Sequence, residues 1–168
     1  MKKVWILNHY AGTMYVNKGG RHHWFAKHLN KQGYPTLIFA SNQIHNSRKE
    51  IEIKSGKYSE KSTENIDYVF VKSTRYKKNN HWRILNILTF TKNLIKTMRT
   101  YINKGNKPDV IIASSVHPLT WFAGYRISKK YDIPLIIEVR DLWPEFPIQI
   151  GVIKNPLLIK FFKYFSSL

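Results

Sequence analysis

Three of the ten acidic residues of this 168-residue chain fall in one short stretch, Glu138-Val139-Arg140-Asp141-Leu142-Trp143-Pro144-Glu145. The apolar run Pro134 to Ile137 leads into it, so Glu138 interrupts what reads as a core strand. A buried carboxylate requires a partner. Two uses are open for it: a structural ion pair with a nearby Arg or Lys, or contact with a ligand. Strand alternation sets Glu138 and Arg140 on one face and Val139 and Asp141 on the other. Asp141, at the strand tip, is the better placed to touch substrate. A second candidate is His117, in Ser114-Ser115-Val116-His117-Pro118. A histidine there can hydrogen-bond a sugar hydroxyl or exchange a proton near neutral pH, or simply cap the following helix. A third is Gly19-Gly20-Arg21, where a helix begins. Glycine permits close backbone approach, and a helix N-terminus offers unpaired N–H groups to a phosphate. A plain turn explains the pair equally well.

Other chemistries find little support. There is no cysteine, so thiolate ligands, disulfides and a cysteine nucleophile are excluded. His9, His22, His23 and His28 lack the spacing of a zinc helix, and His22 and His23 fall on different sides of a helix, so no metal site is expected. The spaced glycines of a dinucleotide fingerprint, a P-loop and a Gly-x-Ser-x-Gly elbow are all missing.

The elements that must position these residues follow from periodicity. Val4–Leu7, Thr36–Ala40, Val69–Val71, Asp109–Ala113 and Pro134–Val139 read as strands. Arg21–Asn30, Arg83–Asn103 and Pro118–Tyr131 read as helices, with a last one from Leu157. Ile84, Leu85, Ile87, Leu88, Thr91, Leu94, Ile95, Met98, Tyr101 and Ile102 form the apolar stripe of the long helix. Ser41 to Asp67 is polar and without a period, and reads as a long loop. Strands alternating with helices imply parallel pairing, and the expected fold is a doubly wound, mostly parallel, Rossmann-like α/β sheet. Ligands of such sheets lie beyond the carboxyl ends of the strands, which is where the three candidates stand.

The chain carries 28 Lys and Arg against 10 Asp and Glu, a formal charge of +18. That balance favours an anionic partner: a phosphorylated ligand, a membrane surface or nucleic acid. Lys92, Lys96 and Arg99 recur at helical spacing on the long helix, and the last segment interleaves Lys160 and Lys163 with aromatics. Such basic amphipathic helices suit an anionic membrane. No nucleic-acid motif accompanies the charge, so specific nucleic-acid binding is not expected. The first apolar run stops at Asn8-His9, too soon for a signal peptide, and a cytoplasmic location follows.

The opening strand ending in Asn8-His9-Tyr10-Ala11-Gly12, the Gly19-Gly20 pair, Gln32-Gly33-Tyr34 before the second strand, and above all Asp109 to Pro118 and Glu138 to Glu145 resemble the N-terminal domain of family-4-like GT-B glycosyltransferases. The likeness is to the bacterial branch that builds capsule, O-antigen and exopolysaccharide. It implies residues 1–168 as one N-terminal acceptor domain, with the family's C-terminal nucleotide-sugar domain absent from these residues. It implies retaining transfer from a nucleotide-sugar to a lipid-linked or saccharide acceptor, with no resident cofactor or metal, at the inner face of a membrane. The resemblance sets Gly19 and Gly20 at the donor diphosphate, and His117 and Asp141 in the cleft as catalytic candidates. Arg21, Glu138, Arg140 and Glu145 are the remaining substrate-binding candidates. A chain ending at Leu168 is expected to be inactive alone. The competing expectations are a non-catalytic subunit of a split transferase and, less favoured, a basic nucleic-acid-binding module.

Overall fold

The computed structural model describes residues 1–45, 47, 49–76, 81–115, 117–140, 156 and 159–160. Its elements are β1 (Val4–Leu7), α1 (Gly12–Asn17), α2 (Arg21–Lys31), β2 (Thr36–Ser41), β3 (Tyr58–Thr63), β4 (Ile66–Val71), α3 (His81–Asn103), β5 (Val110–Ser115), α4 (Pro118–Tyr131) and β6 (Leu135–Val139). Six strands form one sheet in the order β3-β4-β2-β1-β5-β6. All neighbours pair in parallel except β3 and β4. The expected Rossmann-like α/β sheet is therefore present.

Alternation along β1 divides the core. Val4 and Ile6 join Ala26, Ile38 and Tyr68 beneath α1 and α2. Trp5 and Leu7 join Phe39, Phe90, Leu94, Met98 and Ile127 beneath α3 and α4. Helix α4 lies close to the sheet because Gly124 has no side chain: a Cβ there would stand 3.0 Å from the Ala113 Cβ. The chain leaves β1 for β2 and β4 on one side, and α3 then carries it back to β5 on the other. The strand order thus reverses between β1 and β5, the switch point beyond whose carboxyl ends sheets of this kind bind their ligands.

Three differences from the sequence reading have physical causes. The stretch read as a loop from Ser41 to Asp67 contains β3 and the start of β4, joined through Glu64 and Asn65, whose φ angles of +48° and +62° make a tight hairpin turn. The strand was hidden because Tyr58-Ser59-Glu60-Lys61-Ser62-Thr63 is an edge strand with hardly any apolar side chains. A short helix, α1, occupies part of the segment after β1. Finally, the first turns of α3 do not bury their apolar residues: Ile84 is 62% and Leu88 50% exposed. A helix of 23 residues spans roughly 34 Å, whereas the six-residue strands span about 20 Å, so the helix start overhangs the sheet. Of the helix expected from Leu157, Ile159 and Lys160 are helical; the rest of it, with Asp141, Leu142, Trp143, Pro144 and Glu145, lies outside the described residues.

Candidate functional site

Two adjacent residues leave the end of β1 on opposite faces of the sheet. Asn8 continues the face of Val4 and Ile6, toward α2. His9 continues that of Trp5 and Leu7, toward α3 and α4. Both are 2% exposed, and each starts a chain of hydrogen bonds whose direction can be read.

On the α2 face, Asn8 Oδ1 accepts the Tyr10 backbone N–H at 3.0 Å. A backbone N–H only donates, so the other amide atom, Nδ2, is the one that donates to His22 Nδ1, at 2.8 Å. His22 therefore carries its proton on Nε2 and donates it to Glu138 Oε2 at 2.8 Å. The second Glu138 oxygen accepts from Arg21 Nη1 at 2.5 Å. Burial alone would raise the Glu138 pKa. Ser114, which faces it in the β5–β6 register, and the donors Arg21 and His22 outweigh that and hold it down to about 2. Burial lowers the His22 pKa, against the opposing pull of Glu138. The segment ends in a neutral imidazole on an ionised carboxylate, with the Arg140 charge near enough to act on His22.

On the other face, Asn86 of α3 donates from Nδ2 to the Thr74 carbonyl, and also to Ser73 Oγ and Gln43 Oε1, each at 3.0 Å. Its Oδ1 is thereby left to accept from His9 Nε2, at 2.9 Å. His9 Nδ1 must then accept, and its partner at 2.9 Å is His117 Nε2. Tyr10 and Phe90 stack on the His9 ring, with centroids 4.5 and 4.1 Å away, and fix its plane. Burial, followed by the charge of Arg83, pushes the His117 pKa down to about 4. Burial and the neighbouring His117 take His9 well below its ordinary value. Near neutral pH His117 is thus uncharged; it stands at the N-cap position of α4, and its side chain makes no capping hydrogen bond there.

At the crevice rim Gly20 caps α2 with φ at +109°, a conformation that excludes most side chains, and Gly19 precedes it. No acidic residue occupies the first turn of α2, so the positive end of that helix is unneutralised within its own turn, and beside it the Arg21 guanidinium is paired with the Glu138 carboxylate. Among the described residues, no three histidine or carboxylate side chains converge as a metal site would require.

The structure therefore brings together Arg21 and Glu138 in an ion pair, with Gly20 and Arg140 close by, and sets His117 across the end of β1. Asp141 and Glu145 lie outside the described residues. Four residues escaped the sequence reading as site members: Asn8, His9, His22 and Asn86. The signal for the first two was their place directly after β1. For Asn86 it was the four-residue line Asn86, Phe90, Leu94, Met98, all fully buried, in which it is the one polar member.

No protein family and no curated protein matches the chain. Among solved structures, Os79 from O. sativa, determined in complex with UDP and deoxynivalenol-3-glucoside, superposes with a TM-score of 0.49 at 8% identity, over 80% of this chain and 28% of that one. The C-terminal domain of the PF1911 hydrogenase from Pyrococcus furiosus superposes with a TM-score of 0.48 at 14% identity, over 82% and 92% of the two chains. Neither likeness is close enough to carry a functional argument. The strand order and register of this chain define its fold class without them.

Proposed function

We propose that this chain is the acceptor-holding domain of a retaining GT-B glycosyltransferase of the surface-polysaccharide type. Its partner in the reaction is a second domain that holds the nucleotide-sugar. The observation that carries the reading is the convergence, at the carboxyl ends of β1, β5 and β6, of the Gly20-capped start of α2, the Arg21–Glu138 pair and His117. The positive end of α2 and the backbone N–H groups beside Gly19 and Gly20 suit a sugar diphosphate whose charge grows as the glycosidic bond breaks. Glu138 holds Arg21 and His22 in place at that edge, and His117 faces the sugar side. No cofactor is called for.

The surface supports an acceptor carried on a lipid at an anionic membrane. No helix of the described chain is long and apolar enough to cross a bilayer. The overhanging start of α3 exposes Trp82, Ile84, Leu85 and Leu88, and the adjoining helix α4 exposes Phe122 and Tyr125. Arg126 lies over the Phe122 ring and Lys129 over that of Tyr125. Exposed rings beneath cationic groups match the headgroup region of an anionic bilayer. The expected result of Phe122→Ser with Tyr125→Ser is at least a fivefold loss of binding to phosphatidylglycerol vesicles, without change in melting temperature.

Transfer of labelled sugar from a panel of nucleotide-sugars to membrane-extracted acceptors tests the function. It should be run on the 168-residue chain and on the same chain supplied with a donor domain, either fused or as a separate polypeptide. Activity only with the donor domain is expected. Absence of transfer in every pairing, with tight and sequence-selective RNA binding instead, would overturn the reading.

A further inference from the structure

At the amino edge of the sheet, opposite the carboxyl ends where the crevice candidates stand, the starts of β1, β2 and β4, the end of α3 and the strand β3 enclose a groove of about 640 Å³. Its walls are tied by side chains with fixed roles. Asn30, in the last turn of α2, accepts the Thr36 N–H at 2.8 Å and donates to the Asn65 carbonyl at 2.9 Å, which fastens α2 to β2 and to the β3–β4 turn. The Tyr101 ring meets Trp5 edge-on at 6.1 Å, and its hydroxyl donates to Glu60. Burial and then Glu60 raise the Tyr101 pKa, so the hydroxyl keeps the proton it donates. Ser62 donates to Asp67 Oδ1 at 2.5 Å. Ser62 and Asp67 stand opposite each other in the antiparallel register, and Glu60 lies two residues along the same face.

Three polar groups of this groove lack a counterpart among the described residues. Glu60 and Asp67 each receive one hydrogen bond and have a second oxygen that no donor reaches. No Lys, Arg or His pairs with either carboxylate, although Lys3 and Lys61 line the same groove. The third group is the indole N–H of Trp5. Trp5 is 2% exposed and lines the groove. Its N–H has no acceptor within the protein and, unlike that of Trp121, is not sealed off by it. A polar group on so buried a residue ordinarily has a partner, so this one calls for an acceptor from outside. We propose that the groove binds a small amino alcohol, with its ammonium group held between Glu60 and Asp67 and its oxygen accepting from Trp5.

The alternatives fit less well. A phosphate or a free carboxylate would suit Trp5 but would meet the two acidic side chains with the wrong sign. A divalent cation would lack a third histidine or carboxylate ligand. A neutral oxygen beside a cationic nitrogen satisfies all three groups at once. The groove also has room for a ring that carries the pair. None of these residues belongs to the crevice at the carboxyl ends, so the proposal does not depend on the glycosyl-transfer reading.

Proton–nitrogen NMR of the whole chain tests it through the Trp5 indole N–H. Ethanolamine should shift that signal saturably, with the millimolar Kd expected of so few atoms. Glucosamine presents the same pair on a ring: tighter binding by it assigns the site to amino sugars, weaker binding to simple amino alcohols. Ethylene glycol, without the ammonium group, and ethylamine, without the oxygen, should each bind at least fivefold more weakly than ethanolamine. Glu60 and Asp67 are exposed, so Glu60→Gln with Asp67→Asn should keep a native amide spectrum and lose at least tenfold in ethanolamine affinity. Each single variant should lose severalfold, which decides the matter even where the double variant is poorly folded. The absence of a saturable shift with both amino alcohols, equal shifts with ethylene glycol, or undiminished binding in the folded variants would overturn the proposal.

Discussion

The two hydrogen-bond chains that leave the end of β1 differ in how they end. The one through Asn8 and His22 ends on Glu138 and Arg21, at a partly exposed edge, and contains an ionised pair. The one through His9 ends on His117, stays buried, and contains no charge. Both use a histidine as a connector and both keep it neutral, but for different reasons. Beside Glu138 the imidazole is pulled toward protonation and burial still prevails. Beside His9 nothing opposes burial except the Asn86 oxygen. The same residue type thus serves as an anchor for charge on one face of the sheet and as a directional, uncharged link on the other. The choice is made by what each chain ends on.

The difference should divide the acid response of the fold into two windows. His117 has a folded pKa of about 4 against an ordinary 6.5. Between those values the unfolded chain takes up the proton more readily, so stability falls as pH falls through that range. From His117 alone the loss is about 3 kcal/mol, and His9 and His22, shifted in the same direction, add to it. Denaturant titrations between neutral pH and the lower edge of that window should show the decline, and His117→Gln should flatten it. Equal slopes for the two proteins would erase the distinction between the chains.

The charged chain responds lower. Glu138 is held at about 2 against an ordinary 4.5. The folded state binds fewer protons in that interval, so the stabilisation is fully present above 4.5 and is lost as pH falls through 2. Its carboxylate is partly solvated, which reduces the effect to about 1.5 kcal/mol. Glu138→Gln should be less stable than the wild type by that amount at neutral pH, and the gap should close in strong acid. A gap that persists unchanged in strong acid would mean that packing, not charge, is what Glu138 contributes.

How far this was legible in the sequence follows from the length of the contacts. The sheet was legible because apolar runs such as Val110 to Ala113 are buried on both faces and need no distant partner to be recognised. The edge strand β3 was not, since its polar residues carry no alternation. Glu138 was legible as a charge that must be paired, because it breaks an apolar run, although β6 is not a core strand but lies at the sheet edge with Ile136, Ile137 and Val139 exposed. Its partners were not, because Arg21 and His22 are more than a hundred residues away and only the β1–β5 crossover brings α2 beside β6. His117 was legible by its address after β5, but its neutral state was not: that comes from burial and from the charge of Arg83, which the fold brings to it from the start of α3. A histidine beside a helix start reads as a proton carrier until the groups beneath it are known.

The smallest effect concerns the two glycines at the rim, and it separates a turn from a binding edge. Gly20 lies at φ +109°, and a Cβ on it would stand 3.0 Å from Met14 Cγ. Gly20→Ala should therefore cost about 1.5 kcal/mol through backbone strain and crowding, whatever the crevice binds. Gly19 has an ordinary φ, and a Cβ there would meet nothing nearer than the Asn17 carbonyl at 3.7 Å. The fold does not require a glycine at that position, so Gly19→Ala should change stability by less than about 0.5 kcal/mol. If the missing side chain serves a diphosphate at the start of α2, the substitution should still weaken use of the nucleotide-sugar severalfold in the two-domain transfer assay, as a raised KM, with the melting temperature unmoved. Unaltered KM in Gly19→Ala would reduce the glycine pair to the turn that begins α2, and would leave the α2 face of the site to Arg21, Arg140 and the helix end alone.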